Sequence, residues 1–380
     1  MHASVYTVWQ QFARLVKQVV PALHGHRCTT LAWLVIGIML AKSVASTQMA
    51  EVLRRVRGTQ ASSQERTFSR FVANEAIDAQ GLWQSFLPVL LAGWAKQLEV
   101  TFVVDTTLLG DWAIIVSFGI LQHSRVWPLG WRVMPAGQAW EERQFAIIAQ
   151  FVKQVSPHVG QAQSRLLADS GLAREKLIQL CQDAGWHYLL RIELDKGYYA
   201  TELDAQGQPI WQPLKTILTQ PGQYWQGRVW LWKTHQRQTW LTATWQLGQD
   251  SPLVVISDEG AGRPYLCRYR ARMRVEATFQ DKKSRGFGLQ LTHVRDRAHL
   301  DRLLLLLCLA IWWLARLGAA CIHHGQRRRF DRGDRRDKSV LRLGRQWFLE
   351  ILERVPSPAS LARCLPFHRQ GTGWRLCLRF

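Results

Sequence analysis

No Cys-x-x-Cys pair occurs in this 380-residue chain, and its seven cysteines, at 28, 181, 267, 308, 321, 364 and 377, are odd in number and scattered. Neither a disulfide framework nor a zinc finger follows from such spacing, and a reducing cytosol is the expected compartment. Cys321 with His323 and His324 matches no standard zinc site either. The N-terminus lacks a charged segment running into an apolar stretch and a small-residue cleavage site, so no signal peptide is expected. No repeat of solenoid period is present. Long apolar runs are scarce. Residues 31–41 are too few to span a bilayer, and only 303–320 approaches spanning length. That run contains Arg316 and precedes a strongly basic segment, so a buried core helix is expected and no membrane partner. Acid is the remaining shortage: 28 Asp plus Glu stand against 49 Lys plus Arg, a net charge of +21. A surplus of that size points to a polyanionic partner, nucleic acid or an anionic membrane.

What is present divides by character along the chain. Residues 1–95 read as a helical, DNA-binding or simply bundled domain. Apolar residues recur at helical spacing up to Pro21, a buried helix is expected around 31–45, and an amphipathic one over 47–57 is broken by Gly58. A cap-rich loop at 61–65 precedes a helix at 66–73. Residues 96–195 alternate differently. Strands are expected at 99–105, 112–122 and 125–134, a helix at 144–155, a strand at 165–169, a helix at 173–184 and a strand at 186–192. The order β-β-β-α-β-α-β is that of an α/β ribonuclease H-like fold, a mixed sheet with helices on its faces. Residues 196–258 form a β-rich insertion of short antiparallel strands, such as 228–232 and 239–245. Closing helices occupy 259–325, and a basic segment, 326–380, ends the chain. Its Arg327, Arg328, Arg329, Arg332, Arg335, Arg336, Lys338, Arg342 and Arg345 fit DNA-backbone contact, or a solvated linker.

Three acids carry the chemistry. Asp105 and Asp169 each follow an apolar β run, where a carboxylate needs a partner and a divalent cation is the strongest available. The third lies in 265–283, YLCRYRARMRVEATFQDKK, where Tyr269, Arg272, Glu276 and Lys283 return to within about 60° of one another on an α-helix. Taken alone, that stripe reads equally as a solvated helix face with i,i+4 pairs. With two strand acids upstream, Glu276 completes a set of three carboxylates, a hard oxygen site suited to Mg²⁺, with Mn²⁺ as substitute.

The Y-x2-R-x3-E-x6-K spacing of Tyr269, Arg272, Glu276 and Lys283, the Asp-Thr-Thr of 105–107 and the apolar run into Asp169 together resemble the bacterial insertion-sequence transposases of the DDE class, in the branch of insertion sequence four and the Tn five element. The resemblance runs from about residue 60 to 325. It implies Asp105, Asp169 and Glu276 as catalytic metal ligands, with Tyr269, Arg272 and Lys283 on the DNA backbone. It also implies metal-dependent cleavage at element ends, strand transfer into target DNA, and a dimer on DNA. In some members a tryptophan of the insertion stacks on a flipped base. Trp240 and Trp245 are the candidates here, whereas the position before Leu253 is Pro252, so the hairpin device is not carried over. A ribonuclease H-like nuclease or resolvase without strand transfer, and an inactive DNA-binding derivative, remain open alternatives.

Overall fold

The computed structural model describes residues 2–122, 125–137, 141–283, 286–332, 336–353, 368–370 and 373–375. Arg335, Cys364 and Cys377 lie outside them. Five helices come first: α1 (His2–Val19), α2 (Gly25–Ala41), α3 (Ser46–Arg57), α4 (Ala61–Ala73) and α5 (Ala79–Leu91). Gly58 ends α3 in the left-handed region, φ 65°, and its N–H closes on the Arg54 carbonyl at 2.9 Å, the stop that glycine supplies without a Cβ penalty. Residues 61–65, expected as a loop, form the first turn of α4 instead.

Next come β1 (Glu99–Leu109), β2 (Ala113–Gln122), β3 (Arg125–Pro135), α6 (Glu141–Val155), β4 (Gln163–Ala168), α7 (Glu175–Asp183) and β5 (His187–Ile192). This is the order expected from sequence. β1, β2 and β3 form an antiparallel meander, and β4 and β5 join β1 in parallel. The insertion supplies β6 (Tyr198–Ala200), β7 (Gln212–Pro213), β8 (Tyr224–Leu231), β9 (Arg237–Thr244) and β10 (Leu253–Ser257). Its strands do not form a sheet of their own. β10 pairs antiparallel with β5, so the insertion extends the core into one ten-stranded sheet, β3-β2-β1-β4-β5-β10-β9-β8-β6-β7. The architecture is a mixed α/β, ribonuclease H-like sheet behind a helical N-terminal region.

The remainder of the chain closes over this sheet: α8 (Arg263–Arg270), α9 (Arg274–Lys282), α10 (Arg297–His323), α11 (Val340–Glu353) and a small hairpin, β11 (His368–Gln370) with β12 (Gly373–Arg375). α10 is long and apolar enough to cross a membrane by length and composition, and its apolar stretch is almost wholly buried within the protein. It packs on α2, α4, α5, α11 and β3. Asp296 caps its start by accepting from the His299 amide at 2.8 Å. Polar side chains then fix its register: Arg302 donates to the Ile77 and Val72 carbonyls at 3.0 and 2.8 Å, and Asp301 accepts from Trp131 Nε1 at 2.6 Å. α10 and α11 cross so closely that a Cβ on Gly344 would stand 2.0 Å from the Leu314 carbonyl oxygen.

Part of the basic C-terminal segment is therefore a packed helix. Leu341, Leu343, Phe348 and Leu352 of α11 are buried. Several cations expected to be free for DNA are engaged within the protein. Arg345 donates to the Met39 and Leu40 carbonyls, Arg327 pairs with Asp331, Arg329 with Glu350, and Lys338 with the Phe330 carbonyl and Gln346. Arg328, Arg332, Arg336 and Arg342 are exposed.

Candidate active site

Side chains alternate across a strand, and this sorts the central residues of the sheet onto two faces. Phe102 and Val104 of β1 enter the main core, whereas Val103 joins a second cluster with Leu167 of β4, Leu189 of β5 and Val255 of β10, covered by Leu266, Tyr269 and Val275. Two residues beyond Val103, Leu167 and Leu189 on that same face stand Asp105, Asp169 and Arg191. The register brings them level. β1 pairs with β4 at a constant offset, Glu99 with Gln163 and Val103 with Leu167 (163 − 99 = 64), and the two acids share it (169 − 105 = 64). β4 pairs with β5 at Arg165 and His187 (187 − 165 = 22), which sets Arg191 beside Asp169 (191 − 169 = 22). Asp105 lies within β1 rather than at its end, because β2 continues to pair as far as Leu109. It does sit where the parallel partner stops, since β4 ends at Ala168.

Above this row lies the segment expected to be one helix. It is two helices, α8 and α9, joined by a 3-10 turn at Ala271–Met273. Mid-helix 3-10 turns recur at functional bends. Here the turn carries Arg272, and the supposed solvated stripe faces inward: Tyr269 is 3% and Arg272 4% exposed. Arg272 spans the two acids, its Nη1 donating to Asp105 Oδ2 at 2.5 Å and its Nη2 to Asp169 Oδ2 at 3.1 Å. The other oxygen of each acid accepts from the next backbone amide, Thr106 N at 2.8 Å and Ser170 N at 2.9 Å. The Tyr269 hydroxyl donates to Asp169 Oδ1 at 3.2 Å, and Arg191 Nη1 stands 3.8 Å from the same atom. Lys283 caps the C-terminal end of α9 and donates to Thr107 Oγ1 at 2.6 Å and the Leu108 carbonyl at 2.8 Å, both on β1. α9 is docked on β3 by the Val126 amide, which donates to Thr278 Oγ1 at 3.0 Å, and by the Arg125–Asp281 pair at 2.7 Å.

The electrostatics follow from this burial. Desolvation pushes the Asp105 carboxyl above its ordinary range against the opposing pull of Arg272 and the Thr106 amide, and the Asp169 charge adds to the rise. Burial also raises the Tyr269 phenol and lowers the Lys283 amine. Two carboxylate oxygens thus converge on one position that already holds a positive charge. Hard oxygen donors disposed in this way fit a divalent cation such as Mg²⁺.

Four of the six residues singled out by the sequence, Asp105, Asp169, Tyr269 and Arg272, touch one another here, and a fifth, Lys283, ties α9 to β1 at Thr107 and Leu108. The sixth, Glu276, lies in the first turn of α9, is exposed, and makes no hydrogen bond or ion pair with a described residue. Its carboxylate does not form a close triad with the two aspartates. Among the described residues, the group of three possible ligands within 4.8 Å of one another is His187, Asp258 and Glu259. That cluster belongs to the opposite end of the strands, where β5 begins and β10 ends. Both Glu259 oxygens are occupied by Arg165, at 2.5 Å from Nε and Nη2, and Asp258 accepts from the Tyr188 amide and pairs with His187. Its carboxylates are committed to the protein. Sequence reasoning missed Arg191, whose only signal is its spacing of 22 from Asp169, meaningful once the β4–β5 register is known.

A family model for the transposase DDE domain matches residues 144–313. The match takes in Asp169, Arg191, Tyr269, Arg272, Glu276 and Lys283, and Asp105 precedes it. Among curated proteins none matches the chain. Residues 144–313, which frame Asp169 and Arg272, are thus similar to a transposase DDE domain.

Proposed function

We propose that this protein is a DDE transposase of the insertion-sequence kind that cleaves DNA at the ends of its element and joins the freed 3′ ends to target DNA, with Asp105, Asp169 and Glu276 as its metal-binding acids. The observation that carries this reading is the pair Asp105 and Asp169, level on adjacent parallel strands, both turned to one cation under the helices that bear the Tyr-Arg-Glu-Lys spacing. The spacing also favours the branch of insertion sequence four and the Tn five element. Mg²⁺ or Mn²⁺, when bound, would activate the attacking water or 3′-hydroxyl and stabilise the leaving oxygen.

The side chains divide the remaining work. Asp105 and Asp169 would hold the metal from two adjacent strands fixed by the sheet, and Glu276, which stands apart from them in this structure, would turn in from α9 to supply the third carboxylate. Arg272, Arg191 and Lys283 form a cationic rim that neutralises the phosphate being cut, and the Tyr269 hydroxyl donates to a phosphate oxygen. The exposed cations Arg328, Arg332, Arg336 and Arg342 extend DNA contact beyond the site. Acting on two ends requires two active sites, so a dimer is expected on DNA.

The test is incubation of the purified protein with the DNA that flanks its coding region, plus Mg²⁺, followed by sequencing of the products. Cleavage at inverted repeats and joined strands are expected, and EDTA abolishes both. Cleaved ends that are never joined would make the protein a nuclease without strand transfer.

A further inference from the structure

Two of the buried arginines, Arg165 and Arg272, hold acids, and they do so differently. Each nitrogen of the Arg165 guanidinium faces a carboxylate: Nε and Nη2 each reach Glu259 at 2.5 Å, and Nη1 lies 3.6 Å from Glu99. Arg272 is not so fully matched. Its Nη atoms bridge Asp105 and Asp169, but its Nε is buried with no hydrogen-bond partner. A buried donor left unpaired weakens the hold of the site on the whole group. Arg272 also sits on the 3-10 turn between α8 and α9 and not in continuous helix, so a change confined to that turn can redirect it. The atoms it occupies are the same Oδ2 atoms that face the cation position. A guanidinium and a divalent cation cannot both take them.

We propose that Arg272 is a latch: in the DNA-free protein it fills the cation position between Asp105 and Asp169, and a DNA phosphate draws it away and opens that position to the metal. The inference rests on Asp105 and Asp169 being metal ligands. Its consequence is a linkage. DNA that offers Arg272 another anion raises the affinity for divalent metal, and metal raises the affinity for DNA by the same factor. Couplings of this kind run from about fivefold to 150-fold. The device keeps the site poorly loaded with metal until a strand is in place. Before a strand enters, the Tyr269 hydroxyl holds Asp169 Oδ1 and so fixes the carboxylate that Arg272 occupies.

The test is Mn²⁺ binding, read from the free-ion paramagnetic resonance signal, on the full chain with and without a 40-base-pair duplex, with duplex alone as the blank. Wild-type protein is expected to bind Mn²⁺ at least about tenfold more tightly with the duplex. Arg272→Ala is expected to bind it tightly without DNA and to gain little from adding DNA, with Arg272→Lys in between. Equal Mn²⁺ affinity with and without duplex in the wild type overturns the latch, and so does an Arg272→Ala protein that binds no more tightly than wild type. The wild-type comparison decides the matter even when Arg272→Ala does not fold. Asp105→Asn separates the two levels of inference. If it abolishes Mn²⁺ binding and the coupling is absent, only the latch falls. If it leaves Mn²⁺ binding intact, the metal assignment falls and the latch with it.

Discussion

Glu259→Gln tests how the far end of the sheet governs the end that carries Asp105 and Asp169. Arg165 is 2% and Glu259 15% exposed, and they meet through two parallel hydrogen bonds, the strongest arrangement open to these side chains. The substitution keeps the shape and removes the negative charge, which leaves a buried guanidinium without its counter-ion. Breaking a buried pair from one side costs about 3 kcal/mol or more. Unfolding entropy near 2.1 cal/mol/K per residue gives about 0.8 kcal/mol/K for 380 residues, so a single cooperative transition would fall by roughly 4 °C. The pH dependence has a definite sign. Burial alone would raise the Glu259 carboxyl, but the hydrogen bonds and charge of Arg165 outweigh it and the net shift is downward from 4.5. Such a group stabilises the fold above its unfolded value, and that contribution is lost as the pH falls through its folded value. The gap between wild type and variant should therefore be full at pH 7 and close below about pH 4.5. Glu259 also precedes Gly260 and Gly262, the entry to α8, so the variant should loosen Tyr269 and Arg272 as well. Thermal melts followed by circular dichroism from pH 7 to 3.5 provide the readout. Equal melting temperatures at pH 7, or a gap that does not change with pH, would refute this reasoning.

Two further outcomes are expected. Gly344→Ala drives a methyl into the Leu314 carbonyl and should loosen α11 from α10 by roughly 1–3 kcal/mol. Hydrogen exchange should quicken in α11 while β1–β5 are unaffected, and unchanged protection of α11 would contradict the close crossing. Lys283→Ala should weaken DNA binding evenly across sequences and flatten the slope of log affinity against log salt by about one. An unaltered slope would remove Lys283 from the phosphate contacts.

The site was legible in the sequence as far as local pattern reaches. The apolar runs into Asp105 and Asp169 announced two strands, and their separation is the register offset of the pair that β1 and β4 make. Asp105 was expected at a strand end because its β run reads as complete there, yet pairing with β2 carries the strand to Leu109. The inward turn of Tyr269 and Arg272 was not readable, since a charged stripe looks the same whether it meets water or two buried carboxylates. The 3-10 break left no mark in the helical spacing. α11 went unread because Arg342 and Arg345, continuing the arginine run before it, mask the apolar set of Leu341, Leu343, Phe348 and Leu352. Continuity of the insertion with the core sheet depends on the pairing of β10 with β5, a tertiary choice no local run reports.

The central claim is that Glu276 joins Asp105 and Asp169 in catalysis. Its most direct test is Glu276→Gln assayed beside wild type on duplex DNA from the flank of the coding region, with binding and Mg²⁺-dependent cleavage read from the same samples. The account predicts binding close to wild type and cleavage reduced by about a thousandfold or more, in keeping with loss of a transition-state contact of roughly 4 kcal/mol. Robust Mg²⁺-dependent cleavage by the variant would contradict it.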